Sequence, residues 1–338
     1  MMGSLMTKIE QIQREIDFSG VTFVKNGESV LIESNTGYAN RGDSIKNRKD
    51  TRFGIASGCK IFTAVAICQL VEKQKLTFDT KLMECLDISF PYFDENITIH
   101  HLLTHTSGIP DYFDEEVMDD FEELWIAKPM YHMRHLEDFL PFFQNEKMKA
   151  NPGERFHYNN AGYILLGLII EKVSGQVFTD YVQQHVFDKA GMVDSGYFAL
   201  DKLPGNVATG YIDYKDGTWK TNVYSLPVQG GADGGAFVSA MDMVKFWDAL
   251  LSNALLSELV TNQLLFPHVL EDGNDFYGYG VWIAKKEGNI YKYHLMGYDP
   301  GVSFHSAFYP QSNITLAICA NISKGAFKVM KEIEDELM

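Results

Sequence analysis

Cysteine is scarce in this chain. Four occur in 338 residues, at Cys59, Cys68, Cys85 and Cys319, and none forms a Cys-x-x-Cys pair. That usage reads as free buried thiols in a reducing compartment. Basic residues are also few: 29 Lys and Arg stand against 45 Asp and Glu, a formal net charge of −16. Nucleic acid and anionic membrane surfaces are therefore excluded as partners. No apolar run approaches the roughly 18 residues of a membrane span. Met1–Lys8 carries no hydrophobic signal core, so the expected location is cytoplasmic. Internal repeats, low-complexity linkers and a Gly-x-Ser-x-Gly nucleophile elbow are all missing. What remains is an ordinary globular composition, 46% hydrophobic and 22% charged. The length suits one large domain or two intimately joined ones. Oligomeric state is not legible.

The most informative stretch is Thr51–Leu76. Its run Ile61–Val71 is apolar except for Thr63 and Gln69. A helix apolar nearly all round belongs in the middle of a domain. Ser57 is expected in its first turn, where unpaired N–H groups gather. Lys60 follows three residues later, on the same face. A serine becomes a nucleophile once a base takes its proton. A buried lysine that has lost its own proton serves as that base. Ser-x-x-Lys alone is a common pattern, so the rest of the chain must support it.

The chain ends read as sheet and the middle as helix. Glu10–Ile16 is expected as a short amphipathic helix. Val21–Lys25 and Ser29–Glu33 form a hairpin turning at Asn26-Gly27. Residues 113–150 are acidic, aromatic and helical in flavour, a solvated face or a cover over a pocket. Helices are expected at Tyr158–Val173, ended by Gly175, at Phe178–Ala190, and at Ser239–Leu251 with Ser239 as N-cap. Strands follow at Tyr279–Lys285, Tyr291–His294, Gly301–Tyr309 and Thr315–Asn321, with Asn274–Gly280 as a turn. Phe327–Leu337 closes the chain as an amphipathic helix. Hairpin and meander pair into one antiparallel sheet, and the Ser57 helix lies between that sheet and the helical middle. Ligand sites form at such seams.

Ser-Lys chemistry needs a second proton handler, polar groups for the substrate and an oxyanion hole. Tyr158 beside a lysine ammonium is expected to have a lowered pKa and to pass protons. Asn160 offers a donor and an acceptor to an amide or ester. In Tyr293–Gly301, Gly297 lets backbone approach the substrate closely. The next N–H, that of Tyr298, joins the N–H of Ser57 around an oxyanion.

Ser57-x-x-Lys60, Tyr158-x-Asn160 and a late strand ending in Gly297 occur in the order of the class C β-lactamase-like serine hydrolases, which the chain resembles from about Val21 to Ile322. The surroundings are similar too: His101–Pro110, Phe156–Gly167, Gly230–Ser239 with Met241-Asp242, Tyr277–Gly280 and Asp299-Pro300-Gly301. The resemblance implies an α+β, β-lactamase/transpeptidase-like fold: an antiparallel sheet flanked by helices, plus a mostly helical subdomain, with the active site at the seam. Residues 7–338 are expected as a single catalytic domain. Residues 8–60 and 275–338 would form its α/β part, and 77–250 the mostly helical part. It further implies a serine hydrolase with a Ser57 acyl-enzyme, aided by Lys60 and Tyr158, acting on a small-molecule or peptide ester or amide. No cofactor and no metal are implied.

One departure bears on the substrate. The family's third motif begins with Lys or His, whereas here it reads Leu295-Met296-Gly297, with His294 one residue early. Period-two alternation points Leu295 to the site and His294 away, unless a bulge turns His294 inward. An apolar Leu295 speaks against a substrate carboxylate. His294, Leu295, Gly297 and Tyr298 are thus the substrate-facing candidates beside Asn160. A penicillin-interacting DD-peptidase or β-lactamase, and a ligand-binding member without turnover, are the rival readings. His101 and His105 stand four apart but lack a third ligand, so no metal is expected there. His157 and Asp233 read as hydrogen-bonded loop residues or as pocket lining.

Overall fold

The structure is a computed structural model that describes residues 2–338, with side chains from Leu5 onward. Alternation at the two chain ends builds its main sheet. Strand β1 (Gly20–Asn26) turns at Gly27, φ 53°, into β2 (Ser29–Thr36). The late strands are β3 (Val269–Asp272), β4 (Asp275–Tyr277), β5 (Trp282–Lys286), β6 (Asn289–Asp299), β7 (Val302–Tyr309) and β8 (Ile314–Ala320). They form one antiparallel sheet in the order β2-β1-β8-β7-β6-β5-β4-β3. The register Gly20↔Ala320 to Asn26↔Ile314 joins the two ends of the chain.

The sheet is covered on both faces, and period two sorts its side chains. Leu316, Ile318 and Ala320, with Val24 and Ile32, pack under α1 (Met2–Glu15) and the last helix. Ala317, Cys319, Val21 and Phe304 join the larger core built on α2 (Lys60–Glu72). Every residue from Lys60 to Leu70 is buried, as a helix without a polar face requires. The two polar residues within Ile61–Val71 bond to backbone carbonyls: Thr63 to Ala232, and Gln69 to His185 and Leu255. Phe62 meets Phe187 and Phe246 edge-on, with centroids 4.9 and 5.1 Å away.

Helix α3 (Asn160–Ser174) packs along α2. It starts two residues later than expected because Asn159 is its cap, the side-chain oxygen accepting from Gly162 N at 2.7 Å. Gly175, φ 72°, ends it. Ser239 caps α4 (Ala240–Leu251) through Asp242 N, and α5 (Ala326–Leu337) closes the chain.

Three expectations differ. The first helix starts at Met2 instead of Glu10. The Asn274–Gly280 segment contains strand β4, paired with an exposed β3 whose residues show no alternation to read. Residues 113–150, helical in flavour by composition, form short 3-10 turns, one short α-helix at Leu124–Ala127 and loops. Their Asp side chains bind local N–H groups, Asp120 to Glu122 and Asp138 to Arg134 and His135, which competes with helix. Among the described residues, no single helix is long and apolar enough to cross a membrane.

Candidate active site

Ser57 sits in a 3-10 turn, Ala56–Cys59, directly before α2 rather than inside it. The turn is held from three sides. Phe53–Gly54 pairs with Phe237–Val238, and Ile55 N donates to Ala236 O at 3.0 Å. Gly58 N donates to Ile55 O at 2.9 Å. Ala56, immediately before Ser57, takes φ 46°. A left-handed alanine costs about 1–2 kcal/mol, strain that the surrounding pairs must hold.

Lys60 is 1% exposed and wholly committed. Its Nζ lies 3.0 Å from Ser57 Oγ, 2.7 Å from Asn160 Oδ1 and 2.8 Å from Asp233 O. Thr63, one turn on, bonds to Ala232 O. Two rungs of α2 thus staple the glycine loop 230–235 against the nucleophile. The loop can approach because Gly235 takes φ 91° with its Cα under Gly230.

Tyr158 lies over the same lysine, with Nζ 4.8 Å from its ring centroid. Its ring is wedged between His105, 4.4 Å between centroids, and Trp282, 6.1 Å. Burial first, and then the charge of Glu115, push the phenol well above its ordinary value; a hydrogen bond with Ser57 opposes them, while Asp233 and Cys59 add to the rise. The expectation of a lowered tyrosine pKa is therefore corrected. In this setting desolvation outweighs the hydrogen bond with Ser57, and Tyr158 is a neutral phenol.

Asn160 has different partners from those expected. Its amide oxygen takes Lys60, and its Nδ2 donates to Asp111 Oδ2 at 3.2 Å and to Phe113 O at 3.3 Å. The Nδ2 donors and one lone pair of the amide oxygen are spent on positioning Lys60, while Asn160 still lines the cavity. Asp111 clamps the start of α3, accepting from Asn160 N and Ala161 N at 2.8 Å each. Burial pushes its carboxyl up to about 7 despite those donors. No sequence signal pointed to Asp111.

The third motif lies on a half-paired strand. Trp282↔His294 is the last β5–β6 pair, so Leu295–Asp299 pairs only with β7. The β6–β7 hairpin closes at Asp299↔Val302. The closing pair of a two-residue hairpin exchanges hydrogen bonds, so Tyr298 directs its N–H outward, along the unpaired edge. Gly297 brings that edge against the Ser57 turn: a Cβ there would lie 2.0 Å from Ile55 O and 2.9 Å from Gly58 N.

Leu295 and His294 are not brought together with Ser57. Leu295 is 2% exposed in the core and does not reach the cavity. His294 stacks beside Trp282, and its Nδ1 is buried without a partner. Burial, then Lys292 and His305, hold its pKa well below the usual range, so it is a neutral ring and supplies no cation. Tyr298, 45% exposed, lines the cavity, with its hydroxyl on His305 Nε2.

Ser57 opens into a cavity of about 610 Å³. Tyr112, Phe113, Phe121, Phe198 and Phe237 wall it, and Asp233 and Asp299 reach into it. The acidic 113–150 segment thus contributes wall rather than only solvated surface. Asp299 was legible in principle, because it shares the face of Leu295 and Gly297. His157 turns to Asp114 instead, 3.0 Å away. With Glu116 these residues could present three ligand atoms to a cation, but Glu116 is exposed and paired with Arg155. His101 belongs to a capping box with Thr98. His105 is a neutral ring under Tyr158, its Nδ1 accepting from Asn159 N.

Comparison with known proteins places this geometry. The family model described as Beta-lactamase matches residues 7–336. The chain is 30% identical over 336 residues to Penicillin-binding protein 4* of Bacillus subtilis (strain 168), covering 94% of this chain and 71% of that protein. The structure of a penicillin binding protein from Bacillus halodurans is similar at TM-score 0.94 and 59% identity, over 97% of this chain and 99% of that one. The octameric penicillin-binding protein homologue from Pyrococcus abyssi is similar at TM-score 0.86 and 28% identity, over 99% and 76%. The chain belongs to the beta-lactamase family and is a serine hydrolase of its α+β fold.

Proposed function

We propose that Ser57 is the nucleophile of an acylation–deacylation cycle on an ester or amide, with Lys60 as base and Tyr158 as proton carrier. The observation that carries this reading is the Lys60 contact set. Lys60 Nζ meets Asn160 Oδ1, Asp233 O and the Ser57 hydroxyl at once, so an amine that has given up its proton would keep two N–H donors for the first two and turn one lone pair to the third. Ser57 Oγ bonds to the substrate carbonyl carbon while its proton passes to Lys60. The N–H groups of Ser57 and Tyr298 hold the oxyanion. Collapse breaks the bond to the leaving group, which takes the proton of the neutral Tyr158 phenol. Lys60 then returns a proton to Tyr158. Water attacks the acyl-enzyme by the reverse relay, releasing the acid and restoring Ser57. Gly297, and Asn160 through Lys60, keep these atoms aligned.

The test is a fluorophosphonate adduct on Ser57 by intact mass, with p-nitrophenyl ester turnover lost in Ser57→Ala. No adduct and no turnover would leave a ligand-binding member of the family. Turnover that survived Ser57→Ala would identify another nucleophile. A second reading, acylation by penicillin, is supported by the names of the relatives. Against it, among the described residues no Lys, Arg or His lines the cavity to meet a penicillin carboxylate. A fluorescent penicillin added alongside the fluorophosphonate decides between them.

A further inference from the structure

The cavity beside Ser57 has an uneven charge. Six carboxyl side chains line it: Glu115, Asp119, Asp120, Glu122, Asp233 and Asp299. No Lys, Arg or His does. Three of the six are already answered within the fold. Lys220 and Ser225 bind Glu122, Asp120 caps Glu122 N, and Tyr112 donates its hydroxyl to Asp233. Asp299 is different. Among the described residues, its carboxyl has no hydrogen-bond or ion-pair partner, although it lines the same cavity as Ser57. Lys60 does not answer it, because its Nζ is already held by Ser57 Oγ, Asn160 Oδ1 and Asp233 O. Burial pushes the Asp299 carboxyl up to about 8; Asp233 and Glu115 add to the rise and Lys60 opposes it. A perturbed acid without a partner, kept in a cleft beside a nucleophile, calls for a ligand.

We propose that the site selects acyl groups carrying a protonated amine next to an apolar, preferably aromatic, side group, with Asp299 as the counter-ion of the amine. The proposal rests on Ser57 being the nucleophile. Geometry sets the position of the amine. The Tyr298 N–H and the Asp299 side chain belong to adjacent residues of one strand, about 3.3 Å apart along it. A carbonyl held by the first places a substituent on its α- or β-carbon within reach of the second. The aromatic walls, Tyr112, Phe113, Phe198 and Phe237, take the side group and offer ring faces to the cation. A bound ammonium also offsets Glu115 and Asp233, two of the charges that hold the Tyr158 phenol up. The cation would thereby help Tyr158 release its proton to the leaving group. A substrate carboxylate would meet carboxyl groups and no cationic side chain in the cavity lining.

The experiment compares phenylalanine methyl ester with its N-acetyl and N-succinyl derivatives at pH 7. The acyl parts carry charges of +1, 0 and −1 on one skeleton. The expected order of kcat/KM is amine, acetyl, succinyl, with at least tenfold between the first two. In Asp299→Asn the amine-over-acetyl ratio falls at least tenfold, mostly through KM. A ratio of one or less in the unmutated chain overturns the proposal, and so does a ratio that Asp299→Asn leaves in place. The charge ordering in the unmutated chain decides even where Asp299→Asn does not fold. A binding arm separates failure of this proposal from failure of the Ser57 reading. Ser57→Ala is titrated with 2-phenylethylammonium and with 3-phenylpropanoate. The ammonium is expected to bind at least tenfold more tightly. Equal or reversed affinities refute amine selection, whatever the turnover experiments show.

Discussion

Gly297→Ala tests whether strand β6 and the Ser57 turn are one unit. The added Cβ would lie 2.0 Å from Ile55 O, 2.9 Å from Gly58 N and 3.0 Å from Ile55 C. All three are backbone atoms, so none can swing aside. Ile55 O is also the acceptor that closes the turn with Gly58 N. Ordinary carbon contacts begin at roughly 3.5 Å, so strand and turn must part by more than about 1 Å. A displacement of that size in a reacting geometry costs about 10²-fold in rate. That equals about 2.7 kcal/mol of barrier, at 1.36 kcal/mol per tenfold. Forced overpacking adds about 1–3 kcal/mol of lost stability. The assay is kcat/KM on a p-nitrophenyl ester together with Tm. Gly205→Ala, where a Cβ meets nothing within 4 Å, is the control. If Gly297→Ala keeps kcat/KM within threefold and Tm unchanged, the close approach does not set the site, and the placement of Tyr298 N–H in the oxyanion hole loses its basis.

Lys60→Met is expected to lower kcat/KM by about 10³-fold, the scale of a lost general base, and to lower Tm. It strands Asn160 Oδ1 and Asp233 O, buried acceptors worth about 1–3 kcal/mol each; an unchanged Tm would count against the network. Thr63→Val keeps the volume and strands Ala232 O, at about 1–3 kcal/mol. It should lower Tm and kcat together, since the same loop places Asp233 O on Lys60; a fall in neither means that the loop is held elsewhere. Asp299→Asn is expected to stabilise the empty protein, and increasingly so at higher pH. The folded carboxyl titrates near 8 against an ordinary 3.8, so the folded state binds more protons between those values. Wild-type stability from this group is present at low pH and lost as pH rises through that window. Discounted for its partial contact with solvent, the gain of Asp299→Asn should grow by about 1–3 kcal/mol between pH 5 and pH 8. Chemical denaturation across that range measures it, and a gap that stays flat contradicts the Asp299 assignment.

Much of the frame was legible because it obeys local rules. Asn26-Gly27 marked the first hairpin, Gly175 and Ser239 marked helix ends, and the apolar run Ile61–Val71 marked the central helix. The misses are equally local in cause. Val269–Asp272 is an exposed edge strand with no apolar face, so nothing in it alternates. Residues 113–150 look helical by composition, but their aspartates bind nearby N–H groups and break the helix into turns.

Sequence by itself determined the order and spacing of Ser57, Lys60, Tyr158 and Gly297, since a three-residue step on a helix and a glycine on a strand have the same meaning in any fold. It also determined the acidic balance. Tertiary structure alone decided how those groups are wired. Asn160 turns inward to Lys60 because Asp111 and Phe113 O, some fifty residues away, take its amide nitrogens. Tyr158 keeps its proton because burial and Glu115 outweigh its hydrogen bond with Ser57. His294 is neutral and turned to Trp282 because β6 carries no bulge at that pair. Among the described residues, Asp299 is left without a side-chain partner, and the amine of Lys60 is already held by Ser57, Asn160 and Asp233. Desolvation and the allocation of donors depend on what the rest of the chain brings alongside, and spacing along a sequence does not record that.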